Sequence, residues 1–184
     1  DVAGIKTRAE DMGDHFLLNG SKTYISNGIN ADLVIVAAKL AGTDSRHSLV
    51  LLVVERDMEG FERGRNLKKL GLDAQDTAEL FFHDVRVPKE NLLGEPGRGF
   101  HYLMEGLAEE RLLAACVSGA NARHAFDITR EYVSEREIFG QPLSMQQNTQ
   151  FTMAELDTQI DVVQAYLDFC VAEHNQSQLT AEMA

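Results

Sequence analysis

The sequence predicts an α+β fold in two parts. An antiparallel, barrel-like β-domain covers residues 1–92, and antiparallel helices of an up-and-down bundle cover residues 93–184. Three observations carry this. Short β-rich runs follow one another in the first half with no helical pattern between them, which favours antiparallel pairing over a parallel, doubly wound sheet. After Gly94-Glu-Pro-Gly-Arg-Gly the apolar period becomes helical. The charge changes at the same place: 12 Lys and Arg face 15 Asp and Glu in residues 1–92, against 5 and 14 in residues 93–184.

The first β-rich run is His15–Ser26, interrupted by Asn19-Gly20, a dipeptide that predicts a two-residue hairpin. Leu33–Ala38, Leu49–Val54 and Leu80–Val87 add three strands, and Pro88 closes the last because proline has no N–H for the ladder. In the second half Phe100, Leu103, Met104 and Leu107 fall on one helical face. The pattern continues from Leu112 through Tyr132, with Ala, Gly and Ser where another helix could approach closely. It breaks at Gly140-Gln-Pro142, and a second helix runs from about Met145 to about His174. Leu179–Ala184 reads as an unterminated helical pattern and the chain opens without Met, so it is expected to be a segment of a longer protein.

The net charge of −12 disfavours nucleic acid and anionic membrane surfaces, so an anionic ligand must be held by a few arginines or backbone amides. The apolar runs are too short to span a bilayer, and no secretory signal precedes the acceptor patterns at Asn19 and Asn175. Cys116 and Cys170 read as reduced core thiols of an intracellular protein, and no histidine has metal-ligand spacing. Gly97-Arg-Gly99 is a turn into a helix rather than a phosphate loop.

Two stretches stand out. Glu109, Glu110 and Arg111 sit in an alanine-rich, apolar helical region. They form either a solvated face or a carboxylate in a dry pocket, where desolvation makes it a usable general base. Between the helices, Arg136, Phe139, Gln146 and Gln147 surround the turn, and an aromatic beside an arginine and an amide pair suggests a tip that docks into something.

Lys69-Leu-Gly-Leu-Asp-Ala-Gln-Asp-Thr-Ala-Glu-Leu-Phe-Phe-His-Asp-Val-Arg-Val-Pro88 resembles the middle of an acyl-CoA dehydrogenase. So do Gly20-Ser-Lys-Thr-Tyr-Ile-Ser-Asn-Gly28, Arg136-Glu-Ile-Phe-Gly-Gln-Pro-Leu-Ser-Met-Gln-Gln147 and the opening Asp1-Val-Ala-Gly-Ile-Lys-Thr7. The resemblance implies the middle β-domain and the first part of the C-terminal helical domain of an FAD enzyme. Tyr24-Ile25-Ser26 stands where the family usually has Trp-Ile-Thr, implying an aromatic against the flavin and a hydroxyl near its N5. The tip implies contact with the FAD of a neighbouring subunit in a dimer or tetramer. Arg136 would meet its phosphates, Phe139 would lie near the adenine, and Gln146 and Gln147 would stand just beyond. Ile138 replaces a hydroxyl present in other members.

Glu110-Arg111-Leu112 matches the long-chain and isovaleryl arrangement, which implies Glu110 as the catalytic base, with Glu109 as competitor. Arg111 aligns with the arginine after the substrate-contacting segment, and Ala108 replaces an aspartate that contacts CoA in many members. The implied reaction is α,β-dehydrogenation of an acyl-CoA thioester, with an electron-transferring flavoprotein as acceptor. The implied location is the bacterial cytoplasm or the mitochondrial matrix. An acyl-CoA oxidase or flavin monooxygenase on the same scaffold, or a flavin-free oligomerisation module, are the alternatives. The chain alone is expected to bind FAD weakly or not at all.

Overall fold

A computed structural model describes residues 4–42 and 48–184. Asp1–Ala3 of the opening motif therefore lies outside the described residues. The chain divides into two compact units, Asp1–Leu103 and Met104–Ala184.

The first unit is a mixed, largely antiparallel sheet: β1 (Arg8–Asp11), β2 (His15–Ser26), β3 (Leu33–Leu40), β4 (Leu49–Glu55), β5 (Phe61–Asn66), β6 (Thr77–Pro88) and β7 (Leu92–Leu93). Their order is β5-β6-β2-β1-β3-β4-β7, and β1 and β3 are the parallel pair. The long strands β2 and β6 pair along most of their length, with Phe16 opposite Val87 and Leu18 opposite Val85. These four side chains join Val36, Val50, Leu52, Val54, Leu80 and Phe82 in the core. The predicted strands are present. β1 and β5 escaped the sequence reading because Arg-Ala-Glu-Asp and Phe-Glu-Arg-Gly-Arg-Asn each offer a single large or small apolar residue to the core, Ala9 and Phe61.

Asn19-Gly20 is not a hairpin turn. It lies inside β2, at a bulge between Leu18 and Gly20. Asn19 Nδ2 donates to Asp84 Oδ1 at 2.9 Å, and the Asp84 N–H donates to Asn19 Oδ1 at 2.9 Å, so the amide bridges β2 to β6. Gly20 has φ +137°, and a Cβ there would meet Thr7 Cα at 2.8 Å. The glycine serves close approach of two backbones rather than a reversal. The first reversal is instead at Met12–Asp14, where the Met12 N–H donates to the His15 carbonyl at 2.9 Å.

The helix α1 (Gly99–Glu135) begins where Gly97-Arg-Gly99 predicted a turn. In the second unit it is followed by β8 (Glu137–Ile138), β9 (Gln141–Pro142) and α2 (Gln147–Asn175). Leu112, Leu167 and Cys170 form a small core between α1 and α2, joined by Cys116, Leu179 and Met183. A Cβ on Gly119 would stand 2.8 Å from Leu167 Cδ1, so the glycine lets the end of that side chain sit close against α1. Arg123 donates to Asp157 at 2.7 Å and also to Asp161 across the same interface. Leu179–Ala184 is not a continuing helix: α2 ends at Asn175, Ser177 has φ +58°, and only one turn follows from Thr180. Both cysteines are free, Cys170 buried and Cys116 half-buried. Among the described residues no group of His, Cys, Asp and Glu could hold a metal, and no helix is long and apolar enough to cross a membrane.

Candidate active site

The residues singled out in the sequence fall into three groups. The first ends β2. A register shift between Lys22 and Ile25 leaves Tyr24 out of the ladder at φ +59°, 78% exposed. A left-handed tyrosine is held there by its surroundings, since its Cβ disfavours that conformation. Ile25 turns inward against the sheet core, and Ser26 is exposed beside Thr77 of β6. Among the described residues the Ser26 hydroxyl has no hydrogen-bond partner. A flat ring and a free hydroxyl are thus presented together on a rigid strand end.

Lys22 was missed. It continues the inward phase of Phe16 and Leu18, and its Nζ donates to the Ala37 carbonyl at 2.7 Å. Burial pushes its ammonium below the ordinary lysine value of 10.5. The folded state therefore holds this proton less tightly than the unfolded chain. The resulting cost is fully present below the lowered folded value and is relieved as the pH rises from there towards 10.5. Measured against Lys22→Met by chemical denaturation, the native protein gains relative stability across that window. A difference that stays flat with pH contradicts the assignment.

The second group lies on α1. Glu109, Glu110 and Arg111 are consecutive and exposed. Successive helical residues point about 100° apart, so the two glutamates face different directions. Glu110 lies nearly opposite Leu112, the residue that packs on α2, while Glu109 lies nearer that side. The helical neighbours of Glu110 at three, four and seven positions are Leu103, Gly106, Leu107, Leu113, Ala114 and Val117. Glu110 is a carboxylate set in an apolar stripe, of which Leu113 is 66% and Val117 54% exposed in this chain. Glu109 has Glu105 among its corresponding neighbours. This stripe was available to sequence reading once the helix was taken as continuous.

The third group is the tip. β8 and β9 form a two-residue hairpin, with Ile138 opposite Gln141. Its turn residues are Phe139 at φ +51° and Gly140 at φ +77°, the twist that suits right-handed strands. The reversal is thus at Phe139-Gly140 rather than Gly140-Gln-Pro142. Phe139 is 94% exposed, and the Leu143 N–H donates to the Arg136 carbonyl at 2.6 Å, closing the hairpin base. The Arg136 side chain is exposed and, among the described residues, unpaired. Gln146 caps α2 with extended backbone, and Gln147 opens the helix with its side chain exposed. A planar cation, a bare ring and amides converge on one tip, a set suited to phosphate and a heteroaromatic ring. Glu110 lies 26 residues before Arg136, which directly follows the last residue of α1, about 39 Å along the helix axis. The tip and Glu110 are therefore not brought together within one chain.

Residues 1–85 match the family model of the acyl-CoA dehydrogenase middle domain, and residues 97–184 that of the acyl-CoA dehydrogenase C-terminal domain. The chain is 44% identical to the mitochondrial long-chain specific acyl-CoA dehydrogenase of Sus scrofa, over 100% of this chain and 43% of the relative. It is 38% identical to the mitochondrial isovaleryl-CoA dehydrogenase of Pongo abelii, over 91% of this chain and 40% of the relative. The crystal structure of an acyl-CoA dehydrogenase from Geobacillus kaustophilus superposes with a TM-score of 0.93 at 47% identity, covering 97% of this chain and 47% of that one. The chain spans less than half the length of these relatives. With the two domain models together matching nearly all of its length, the chain belongs to the acyl-CoA dehydrogenase family.

Proposed function

We propose that this chain carries the general base and the flavin-facing strand end of an FAD-dependent acyl-CoA dehydrogenase acting on fatty or branched acyl thioesters. Glu110 carries the reading: a lone carboxylate in an apolar stripe of α1, on the side away from α2. Covered by further protein and an acyl chain, that stripe excludes water around the carboxylate and leaves it free to take a proton from the α-carbon. Arg111, next to it, lies on the substrate side of the helix.

The donor set fits FAD. The Tyr24 ring and the free Ser26 hydroxyl suit the isoalloxazine edge, and Arg136, Phe139, Gln146 and Gln147 suit the pyrophosphate and adenine end. FAD, when bound, supplies the two-electron oxidant. Tyr24 would shield the bound ring from water, and the Ser26 hydroxyl would be available to it as a hydrogen-bond donor. The distance of about 39 Å along α1 between base and tip supports a tip that serves the site of a second copy, hence a homo-oligomer, dimer or tetramer. The relatives named mitochondrial support the matrix for a eukaryotic source, with the cytoplasm for a bacterial one. An electron-transferring flavoprotein is the proposed acceptor, and the proposed domains are 1–92 and 93–184, with their boundary where the last strand gives way to the turn before α1.

The visible spectrum of the full-length protein tests this. An oxidised-flavin band that bleaches on anaerobic addition of a long-chain acyl-CoA supports the reading. A purified protein with no such band, and none after incubation with FAD, refutes it.

A further inference from the structure

We infer that Asp76 is a positioning residue for the flavin-facing end of β2, holding the turn after Ser26 so that Tyr24 and Ser26 keep the conformation that meets the cofactor. The inference rests on the flavin reading above.

Ile25-Ser26 is bracketed by two left-handed residues, Tyr24 at φ +59° and Asn27 at φ +61°. Tyrosine disfavours that region and must be held in it, whereas asparagine visits it more readily and its surrounding contacts fix the turn it makes. At the downstream bracket those contacts converge on one residue. Asp76 is only 9% exposed. Its Oδ2 accepts from the Ile29 N–H at 2.7 Å, and its Oδ1 accepts from Asn30 Nδ2 at 3.0 Å. Its main-chain carbonyl accepts from the Asn27 N–H at 3.1 Å. One residue thus ties three of the four positions that follow Ser26.

Asp76 is itself fixed from both sides. Lys69 Nζ donates to the Gln75 carbonyl and, at 3.0 Å, to Thr77 Oγ1. The carbonyls of the same turn are held from the other direction. Arg56 Nη2 donates to the Ile29 and Asn30 carbonyls at 3.1 and 2.8 Å, and Arg63 Nη2 to the Ala31 carbonyl at 3.1 Å. A carboxylate buried against neutral donors is retained only where its hydrogen bonds compensate the lost hydration. Here both oxygens are used on one turn, the turn that begins directly after the cofactor-facing hydroxyl.

The chemistry of the pair sets the test. Asparagine at 76 keeps the acceptor for Ile29 and can donate to Asn30 once that amide turns over. Alanine at 76 loses both bonds. In the full-length protein, Asp76→Ala is expected to lose hydrogen-exchange protection at the Ile29 amide and to bind FAD about ten- to a hundredfold more weakly. Asp76→Asn and the exchanged pair Asp76→Asn with Asn30→Asp retain both properties. Thermal midpoints measured alongside separate this from loss of folded protein. Should Asp76→Ala not fold, Asn30→Ala at the exposed partner removes one bond, and weaker FAD binding there supports the inference.

Unchanged FAD affinity in Asp76→Ala, or in Asn30→Ala where that variant stands in, gives Asp76 a purely structural role and overturns it. Unchanged protection at Ile29 in Asp76→Ala overturns it as well. A native protein that takes up no FAD refutes the flavin reading itself, which is a separate result from native uptake left untouched by the substitutions.

Discussion

Glu110→Gln in the full-length protein keeps its oxidised-flavin band and bleaches with acyl-CoA about a thousandfold more slowly than the native protein. The substitution preserves the shape of the side chain and its reach from α1 but removes the ability to take a proton. Loss of a positioned general base costs on the order of a hundred- to ten-thousandfold, and none of the residues three, four or seven positions from Glu110 on α1 is a carboxylate. Glu109→Gln is the control. Glu109 points about 100° away, towards the side of Leu112 and α2, so its loss leaves the rate near native. A protein in which Glu109→Gln bleaches slowly and Glu110→Gln does not would reverse the assignment. Equal bleaching in both variants would place the base outside this chain altogether.

Competing readings separate on the same apolar stripe. A solvated face tolerates hydrophilic change at its neighbours, whereas a dry pocket does not. Gly106, Leu107, Leu113, Ala114 and Val117 around Glu110 leave no polar neighbour to share a solvated face. A pure oligomerisation module would have no use for a charge at the centre of such a stripe, because an unpaired buried charge opposes association.

What the sequence revealed follows from how local each signal is. Strands Leu33–Leu40 and Leu49–Glu55 pair in a single register over seven residues, and their continuous apolar runs announce them. The helices announced themselves through their period, and the tip through the oddity of Phe139 beside Gly140. Asn19-Gly20 misled because a glycine that takes positive φ reads the same in sequence whether it reverses the chain or admits a neighbouring backbone. Only Thr7, thirteen residues earlier and pressed against it, decides between the two. β1 and β5 were silent because their neighbours, rather than their own composition, make them strands. The proposed functional residues Tyr24, Ser26 and Glu110 were singled out through motif resemblance. Lys22 and Asp76 were not, since each acts through a bond to a distant stretch, Ala37 for one and Ile29 for the other.

Gly60→Ala is expected to destabilise the protein by about 3 kcal/mol or more, the largest effect of any single methyl group in the β-unit. Gly60 has φ +82°, and a Cβ there would lie 2.0 Å from the His83 carbonyl oxygen, inside any possible contact and against backbone that cannot swing away. The His83 N–H donates to the Gly60 carbonyl at 2.9 Å, so relieving the clash also pulls apart the first rung between β5 and β6. The adjacent Phe61 stacks on Phe82 with ring centroids 5.1 Å apart, and Arg63 lies over Phe61. Arg63 in turn holds the Ala31 carbonyl of the turn after Ser26. The displacement therefore reaches the proposed flavin-facing end of β2 through β5. Gly13→Ala separates the two causes: Gly13 has φ +96° but nothing within 4 Å of a Cβ, so it bears only the conformational penalty of about 1 kcal/mol. Chemical denaturation of both variants measures the difference, which is the energy of the clash. If the two lose equal stability, β5 yields freely at its start, and the route from Gly60 to the Ala31 carbonyl is not rigid enough to transmit strain.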